Sequence, residues 1–563
     1  MSDEGWSEGS DEGSDFSPES DYEDASFASK SKFSSSLKGH SLRKKANPQR
    51  NDASSSSTPV EAGAPSLMRC RSTHTIQDPA AMRTALLRWY KTVHETRGMP
   101  WRRPYDPNLG IEERAQRAYE VWISEIMLQQ TQVATVIPYY NRWMEKFPTV
   151  RDLAAATIDE VNALWKGLGY YSRASRLLAG AQKALEVYGG KLPDNAKDME
   201  ANIPGIGRYS AGAICSIAYG EQVPVLDGNV HRLLSRILAL HGPPKSKQTL
   251  DVLWTGAKTM VEIDSQSLCR SEDPPPDSDS PQYPGDINQA MIELGSTVCK
   301  VREPECGSCP LRAWCSAYRK TTPEDEQATS VVDIEDVCRL CEPLMSSEGV
   351  TSYPMKADRK KAREETDVVN VIEWRSRATP SDRRFLLVRR PEGGLLAGLY
   401  EFPASVNVSK SMTRASQEKL PASILSKLVH GGSSLTKSQQ TRKANTQDEK
   451  HEQVLTITKI TPVGEVLHVF SHIRKTYKVQ WVVLEGGAEP PPPLEGSSLD
   501  EERPKKKPKR ENAGKGPVNV KNDKRGPKGA VWTPIDQVLE ANMGSGVVKV
   551  WNLTKELWEK EAR

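Results

Sequence analysis

Ile203-Pro-Gly-Ile-Gly-Arg-Tyr-Ser210 is the stretch that decides the fold of this 563-residue chain. Its glycines, Gly205 and Gly207, lie two positions apart between segments of helical periodicity and permit a tight turn between two helices. The backbone N–H groups of such a turn, with the N-terminus of the next helix, can hold a phosphate. A lone Pro-Gly-x-Gly is usually only a turn, so its meaning depends on what surrounds it.

Two further patterns follow this hairpin. Val225-Leu-Asp-Gly-Asn229 places an aspartate twenty residues after Gly207. Thiolates gathered in one short run can hold an iron–sulfur cluster or a zinc ion. Zinc sites usually pair two Cys-x2-4-Cys knuckles, and this run has one. The pattern therefore favours a [4Fe–4S] cluster over a zinc ribbon. The spacing is Cys-x6-Cys-x2-Cys-x5-Cys, at Cys299, Cys306, Cys309 and Cys315.

The region around these motifs has the pattern of an all-α domain. We expect order to begin at Asp78-Pro79, an N-cap followed by proline at the first helical position. A polar, proline-rich stretch at about 265–283 has the composition of an inserted loop. We predict a helical domain over 78–318 with a cysteine loop at 299–315. Helical spacing recurs in five segments, 115–147, 157–166, 172–188, 208–219 and 229–240.

The flanking regions differ in composition. Residues 1–77 are rich in serine and acidic residues and are predicted to be disordered, and 319–365 read as a charged linker. From 366 to 563 the period changes to that of strands, which predicts an α+β domain. Breaks near 409–452 and 486–528 are predicted to be disordered. The predicted strands are Val368–Trp374, Phe385–Arg389, Leu455–Ile460, Glu465–Phe470 and Lys478–Leu484.

Charge is unevenly spread along the chain. The net charge is +3, yet the first 29 residues hold ten acids and no Lys or Arg, so the remainder carries +13. Such a surplus favours a polyanion such as nucleic acid, although ordinary solvated charge gives the same count. No run of about 18 apolar residues is present, so we expect no membrane span. The basic run Lys505–Arg510 predicts nuclear import and leaves a mitochondrial pool open.

Together these motifs resemble the helix–hairpin–helix DNA glycosylases with an iron–sulfur cluster, the endonuclease III superfamily. Within it, three stretches resemble MutY-type adenine DNA glycosylases of eukaryotic, fungal type: Ser124–Gln132, Gly167–Tyr171 and Val225–Asn229. The resemblance covers about 85–318 and resumes in the C-terminal part. It implies a monomeric enzyme of base excision repair that acts on double-stranded DNA containing adenine opposite 8-oxoguanine or guanine.

Two carboxylates in these motifs are candidates for the chemistry. Glu125 lies on an apolar helix face, where desolvation raises the pKa of a carboxyl and suits a general acid that protonates adenine. Asp227 would stabilise or attack the oxocarbenium-like sugar, as paired carboxylates do in glycoside hydrolysis, and Asn229 would orient it. The alternatives are a buried, hydrogen-bonded Glu125 with no catalytic role and an Asp227 that only caps a helix.

Position 209 separates two classes of enzyme. Relatives that also cleave the DNA strand carry a lysine there, whose amine forms a Schiff base with the opened sugar. Tyr209 cannot form one, so we predict a monofunctional glycosylase in which, by resemblance, Tyr209 assists Asp227. The rival hypotheses are a bifunctional glycosylase and lyase, a non-catalytic DNA-damage binding protein, and a Nudix hydrolase with a helical appendage.

The resemblance also assigns residues that handle the DNA. A base inside a duplex must be flipped out before it can be cut, and the gap must be filled. Gln130 and Tyr170 are implied as the inserted residues near the opposite base. Trp101 and Arg102 are implied to line the adenine pocket. Gln289 replaces an acidic residue that some relatives use to contact adenine, and its amide can still bond the base.

The C-terminal part resembles the Nudix-like domain of these enzymes in Arg390–Pro403 and His468–His472. No Arg-Glu-x-x-Glu-Glu stretch for metal and pyrophosphate follows, so we expect no hydrolase activity. The turn Phe470-Ser471-His472 would read 8-oxoguanine, since a serine offers both a donor and an acceptor.

A second cysteine pair lies in the predicted linker. Cys338 and Cys341 resemble part of a zinc-binding element of animal homologues, whose third cysteine position here is Val331. Two thiolates alone bind zinc weakly compared with four ligands, so the sequence does not favour zinc there.

Overall fold

The chain forms two compact units. The first comprises residues up to 155 together with 177–358, and the second comprises 156–176 together with 359–563. Residues 156–176, which were predicted as part of the helical domain, belong to the second unit, where Asp159 accepts a hydrogen bond from Arg389 (3.0 Å). The computed structural model describes residues 67–68, 74–263, 281–321, 338–345, 349–357, 361–376, 379, 382–391, 396–429, 455–470, 472–486, 491–494 and 529–562.

The first unit is built of helices, as predicted. Its first helix is capped as the sequence suggested, since the Asp78 side chain accepts from the backbone N–H of Ala81 (3.2 Å) and Pro79 is the first helical residue. The helices in chain order are α1 (Pro79–Val93), α2 (Ile111–Leu128), α3 (Val133–Lys146), α4 (Val150–Ala155), α7 (Ala196–Asn202), α8 (Arg208–Ile214), α9 (Gly228–Ile237), α10 (Lys247–Val261), α11 (Pro284–Thr297) and α12 (Ser316–Thr321), while α5 (Ile158–Trp165) lies in the second unit and α6 (Ser172–Tyr188) spans the boundary.

The hairpin joins α7 to α8. Gly205 adopts φ +81°, the left-handed region that glycine enters without a steric penalty, and Gly207 is the N-cap of α8. Helix α8 continues as a π-helix, Cys215–Tyr219, which ends at Gly220. The predicted segment 208–219 is therefore one continuous helical rod with a change of pitch.

One predicted helix is two. The segment 115–147 divides into α2 and α3, because Gln130 adopts φ +55° between them. A non-glycine residue in the left-handed region cannot continue a right-handed helix. The break directs α3 back against α2, where the Tyr119 hydroxyl donates to the carbonyl of Phe147 (2.7 Å).

The second unit is α+β, the class that the sequence predicted. Its main sheet has the order β5-β4-β3-β8-β7, in which β3 and β8 are parallel, and β6 and β9 pair with β3 and β4. Phe385 and Trp551 pack edge to face at 4.7 Å in the core beneath it. The strands are β3 (Arg363–Arg375), β4 (Arg383–Arg389), β5 (Tyr400–Glu401), β6 (Ala404–Ser405), β7 (Thr456–Val469), β8 (Ile473–Glu485) and β9 (Ala530–Pro534), and the helices are α13 (Arg414–Gln417), α14 (Leu420–Leu428) and α15 (Ser545–Ala562).

Three predictions for this unit were incomplete. The strands predicted at 455–460 and 465–470 are one strand, β7, because register irregularities at 457–459 and 462–464 absorb Pro462 and Gly464 at the sheet edge. The break predicted over 409–452 contains α13 and α14. Strand β9 was not predicted.

The predicted tail and linker are partly ordered. Leu67–Met68 (β1) pair antiparallel with Leu344–Met345 (β2), although the first stretch was predicted to be disordered and the second to be part of a linker. Tyr353 is buried, and its carbonyl accepts from Arg236 (2.9 Å). Most of the predicted tail, the loop at 264–280, most of the second break and Lys505–Arg510 lie outside the described residues.

No helix in the described stretches combines the length and the apolar character that crossing a bilayer requires.

Candidate active site

Glu125 is held by a tyrosine from the hairpin. It lies near the end of α2, and the hydroxyl of Tyr209, on the first turn of α8, donates to its Oε2 at 2.9 Å. Burial raises the pKa of Glu125 to about 7, the Tyr209 bond lowers it, the charge of Asp227 raises it and that of Arg102 lowers it. The bond from Tyr209 to the predicted acid was not expected from the sequence, which predicted that Tyr209 assists Asp227.

Asp227 is the N-cap of α9, so the structure confirms that this residue caps a helix. Its Oδ1 accepts from the backbone N–H of Val230 (2.7 Å) and its Oδ2 from the side-chain amide of Asn229 (2.8 Å). Burial raises the pKa of Asp227, while these bonds and the charge of Arg232 oppose the shift. Although it caps α9, the Asp227 carboxylate remains within electrostatic reach of Glu125, and its charge raises the pKa of that residue.

Asn229 is itself fixed by groups that sequence reasoning missed. Arg232, one turn later on α9, donates to Asn229 Oδ1 (2.8 Å) and to the carbonyl of Cys299 (2.8 Å). Gly295 of α11 packs so closely that a Cβ there would lie 2.8 Å from the Cβ of Asn229. The spacing of Asn229 and Arg232, three residues apart on a helix, was the available signal for this contact.

The residues predicted to line the adenine pocket lie in the connection between α1 and α2 and on α11. Trp101 is 5% exposed and packs edge to face on Tyr140 at 5.1 Å. Arg102 lies over the ring of Tyr90 at 5.8 Å and forms an ion pair with Glu293. Gln289 of α11 is 6% exposed. Its side-chain amide carries both a donor and an acceptor, which suits a group that bonds a ligand.

The two residues predicted to enter the duplex share an unusual backbone. Gln130 has φ +55° and Tyr170 has φ +48°, and both are exposed, Tyr170 to 46%. Left-handed non-glycine residues carry backbone strain, and such residues cluster at functional sites. The two residues belong to different units of the chain.

The hairpin carries a cation next to its glycines. Arg208, which follows Gly207, places its guanidinium 3.6 Å from the ring centroid of Trp254 on α10. The stack fixes a positive charge beside the helix N-terminus, where a phosphate would bind. Arg208 was not among the predicted site residues, because a lone arginine after a turn is a common surface residue.

The four clustered cysteines line one cavity of the first unit, together with Leu233, Arg236 and Leu311. Four sulfurs around one zinc would lie about 3.8 Å apart, given Zn–S bonds of about 2.3 Å. In the described residues no three of these four sulfurs lie within 4.8 Å of one another. Arg236 donates to the sulfur of Cys299 (3.2 Å) and to the carbonyl of Lys300 (2.7 Å). This spread of thiols around a cavity suits a cluster better than a single ion.

The second cysteine pair acquires a third ligand that the sequence analysis did not include. The imidazole Nε2 of His74 lies 3.2 Å from the sulfur of Cys338 and 3.3 Å from that of Cys341. These three ligand atoms lie within 4.8 Å of one another. Hydrogen bonds from Leu340 and His74 outweigh burial and lower the pKa of Cys338, which favours a thiolate ligand.

The predicted 8-oxoguanine turn connects β7 to β8. Phe470 packs edge to face on His468 at 4.5 Å, and its backbone N–H donates to the carbonyl of Ile473 (2.8 Å). The side chain of His472 is exposed. Ser471 lies outside the described residues.

Comparison with known proteins finds similarity over most of the chain. The family model of the HhH-GPD superfamily base excision DNA repair protein matches residues 123–258. The human adenine DNA glycosylase is 40% identical over 431 residues, covering 73% of this chain and 69% of that protein. The adenine DNA glycosylase of Schizosaccharomyces pombe is 33% identical and covers 71% and 81%. A solved structure of a thermostable thymine-DNA glycosylase is 23% identical, with a TM-score of 0.34, covering 43% of this chain and 97% of that one.

Proposed function

This chain belongs to the family of adenine DNA glycosylases and is an adenine-specific DNA glycosylase of base excision repair, and we propose that Glu125 and Asp227 cut the glycosidic bond of an adenine flipped out from opposite 8-oxoguanine or guanine. The observation that carries this proposal is the presence of two buried carboxyls in unlike surroundings, Glu125 bonded by Tyr209 and Asp227 bonded by Asn229, with the charge of Asp227 acting on Glu125.

Their surroundings assign the proton to Glu125. Its pKa of about 7 keeps a large share of the carboxyl protonated at neutral pH, ready to protonate the leaving adenine. Asp227 accepts two N–H bonds at the positive end of α9 and lies near Arg232, contacts that favour an ionised carboxylate. When two interacting carboxyls share a site, the better hydrogen-bonded one retains the charge. Asp227 therefore faces the cationic sugar that forms as the bond breaks.

The base pocket explains how adenine would be recognised. Adenine presents a donor at its amino group and acceptors at its ring nitrogens, and the side-chain amide of Gln289 complements both. The indole of Trp101 offers a face for stacking, and the guanidinium of Arg102 offers donors. We assign these three residues to adenine binding, and Gln130 and Tyr170 to the gap left in the duplex.

Loss of the base is expected to be the whole reaction. Tyr209 donates to Glu125 and has no amine with which to form a Schiff base. The product is then an abasic site in an intact strand, formed by attack of water on the sugar. The hairpin at Gly205 and Gly207, with Arg208 stacked on Trp254, would hold the phosphate backbone during this step.

The thiols of Cys299, Cys306, Cys309 and Cys315 fit a [4Fe–4S] cluster, which we propose as the resident cofactor with a structural role. Its ligand Cys299 accepts through its carbonyl from Arg232, which also holds Asn229, so the cysteine loop and the catalytic side chains share one support.

The group of His74, Cys338 and Cys341 supports a zinc site, against the expectation from sequence alone. Three protein ligands suffice for zinc when a fourth position is filled by water or another group.

We propose further that the enzyme acts as a monomer in the nucleus, with the turn at 470–472 contacting the 8-oxoguanine.

Excision of adenine from an adenine:8-oxoguanine duplex tests the proposal. We expect Glu125→Gln and Asp227→Asn each to lower the single-turnover rate by at least about 100-fold while duplex binding persists. Glu186→Gln, which alters an exposed carboxyl, is the matched control and should keep the rate. Strand breaks should appear only after alkali is added. Prompt breaks without alkali, or undiminished release by Glu125→Gln, would contradict the assignment.

A further inference from the structure

Glu293 is a buried carboxylate that the proposed reaction does not use. It lies on α11, one turn after Gln289, and is 1% exposed. Its oxygens accept from Arg97 (3.2 Å for Nη1 to Oε2) and from Arg102. An unpaired charge at such a position would be strongly destabilising, so the two guanidinium groups are needed as its counterions.

Arg102 has two carboxyls within electrostatic reach. One is Glu293, with which it forms an ion pair. The other is Glu125: the charge of Arg102 lowers the pKa of Glu125, and this effect is the smallest of the four that act on that pKa. A guanidinium paired directly with Glu125 would hold that carboxyl ionised, because an opposite charge at close range favours the charged form. An ionised Glu125 cannot donate a proton to adenine.

We propose that Glu293 is a positioning residue that holds the Arg102 guanidinium at the adenine pocket and serves as its counterion, so that Arg102 can bond the flipped base without taking Glu125 as its partner. This inference rests on the proposed function, because it requires Glu125 to be the acid. It adds a role for a residue outside the reacting groups and explains why a cation and a protonated acid coexist in one pocket.

The groups facing these two carboxyls come from several elements. Around Glu293, Ser296 of the same helix also accepts from Arg97 (3.2 Å), and the ring of Tyr90 on α1 lies beneath the Arg102 guanidinium. Around Glu125, the contributing groups are Tyr209 of α8, Asp227 at the start of α9 and Arg102. Of these, Glu293 and Asp227 are the acids, and only Glu293 pairs with Arg102.

The pH dependence of adenine release separates a positioning role from a structural one. With enzyme in excess over an adenine:8-oxoguanine duplex, the wild-type rate should fall along an alkaline limb as Glu125 loses its proton. Glu293→Gln frees the Arg102 charge, so the limb should move toward acid by about one pH unit. Arg102→Met should move it toward alkali, and adding Glu293→Gln to Arg102→Met should produce no further shift.

Matched variants distinguish the proposed role of Glu293 from misfolding and from direct effects on the rate. Arg97→Met removes the other partner of Glu293 and should leave the limb in place. Glu293→Asp keeps the charge on a shorter side chain, so the limb should stay while the KM for the duplex rises. A uniform loss of rate with an unmoved limb in Glu293→Gln would overturn the inference, as would an acid shift that persists without Arg102. If Glu125→Gln retains the wild-type limb, the proposed function itself fails, and the two failures are thereby distinguished.

Discussion

At the scale of single residues, the proton on Glu125 has a thermodynamic cost that can be measured. A glutamate in the unfolded chain ionises at its ordinary value of 4.5, whereas burial raises the pKa of Glu125 to about 7 in the folded protein. The folded state thus binds this proton more tightly than the unfolded state. Below pH 4.5 both states hold it, and above pH 7 both have lost it, so folding becomes less favourable as the pH rises between these values.

This linkage predicts a pH-dependent difference between the wild type and Glu125→Gln. The amide cannot ionise, so the variant should avoid a destabilisation of up to about 3 kcal/mol that the wild type incurs by pH 8. We expect the Tm of Glu125→Gln to exceed that of the wild type at pH 8 and the difference to shrink toward pH 5. Thermal melts across this range provide the measurement, with Glu186→Gln as the control. A difference that is constant with pH would show that Glu125 ionises normally.

Other residue-level features could not be read from the sequence. The left-handed backbones of Gln130 and Tyr170 depend on tertiary packing, which overrides the preference of these residue types for negative φ. The pairing of Glu293 with Arg102 spans 191 positions of the chain. Sequence patterns report local spacing, and neither feature is local. By contrast, the apolar setting of Glu125 was visible, because its neighbours on α2 are one helical turn apart.

At the scale of elements, the strength of the local signal decided which predictions succeeded. Helix α1 carried both a cap and proline at its first position, and the hairpin carried glycine where φ is positive. The division of β7 into two predicted strands failed because Pro462 and Gly464 usually mark turns, yet an edge strand accommodates both in bulges. Helix α14 lies in a stretch whose overall polarity masked its apolar residues, Leu425 and Leu428.

The pairing of β1 with β2 leads to a prediction about metal content. Two strands of two residues each are too short to be stable alone. In sequence, His74 follows β1 closely, and Cys338 and Cys341 come shortly before β2. Metal bound there would add its binding energy to the folding of this segment. We expect purified protein to contain about one zinc ion per chain in addition to cluster iron.

His74→Ala should lower the zinc content while the iron content is retained, and Cys341→Ser should do the same. His94→Ala, which alters a histidine whose ring nitrogen is 3.2 Å from the carbonyl of Lys91, is the control. Elemental analysis of dialysed protein gives both metals at once. An equal zinc content in the wild type and in all three variants would exclude His74, Cys338 and Cys341 as the zinc site.

At the scale of the whole molecule, the proposed function divides its tasks between the two units. The catalytic candidates Glu125, Asp227 and Gln289 all belong to the first unit, and the turn at 470–472 belongs to the second. Chemistry on adenine and reading of the opposite base would then be separable by substitution. Under this proposal, the second unit would add binding energy when 8-oxoguanine is present, whereas the first unit would contact adenine in either mispair.

Substitutions in the turn should therefore change selectivity more than rate. We expect Phe470→Ala and His472→Ala to reduce the preference for adenine:8-oxoguanine over adenine:guanine by about tenfold, the effect of losing roughly 1.4 kcal/mol of contact. Excision from adenine:guanine should stay near the wild-type rate, because no catalytic side chain has been altered. Val406→Ser, at an exposed residue of the same unit, should leave both rates unchanged. Equal loss on both duplexes would instead place the turn in general DNA binding, where affinity falls with salt regardless of the opposite base.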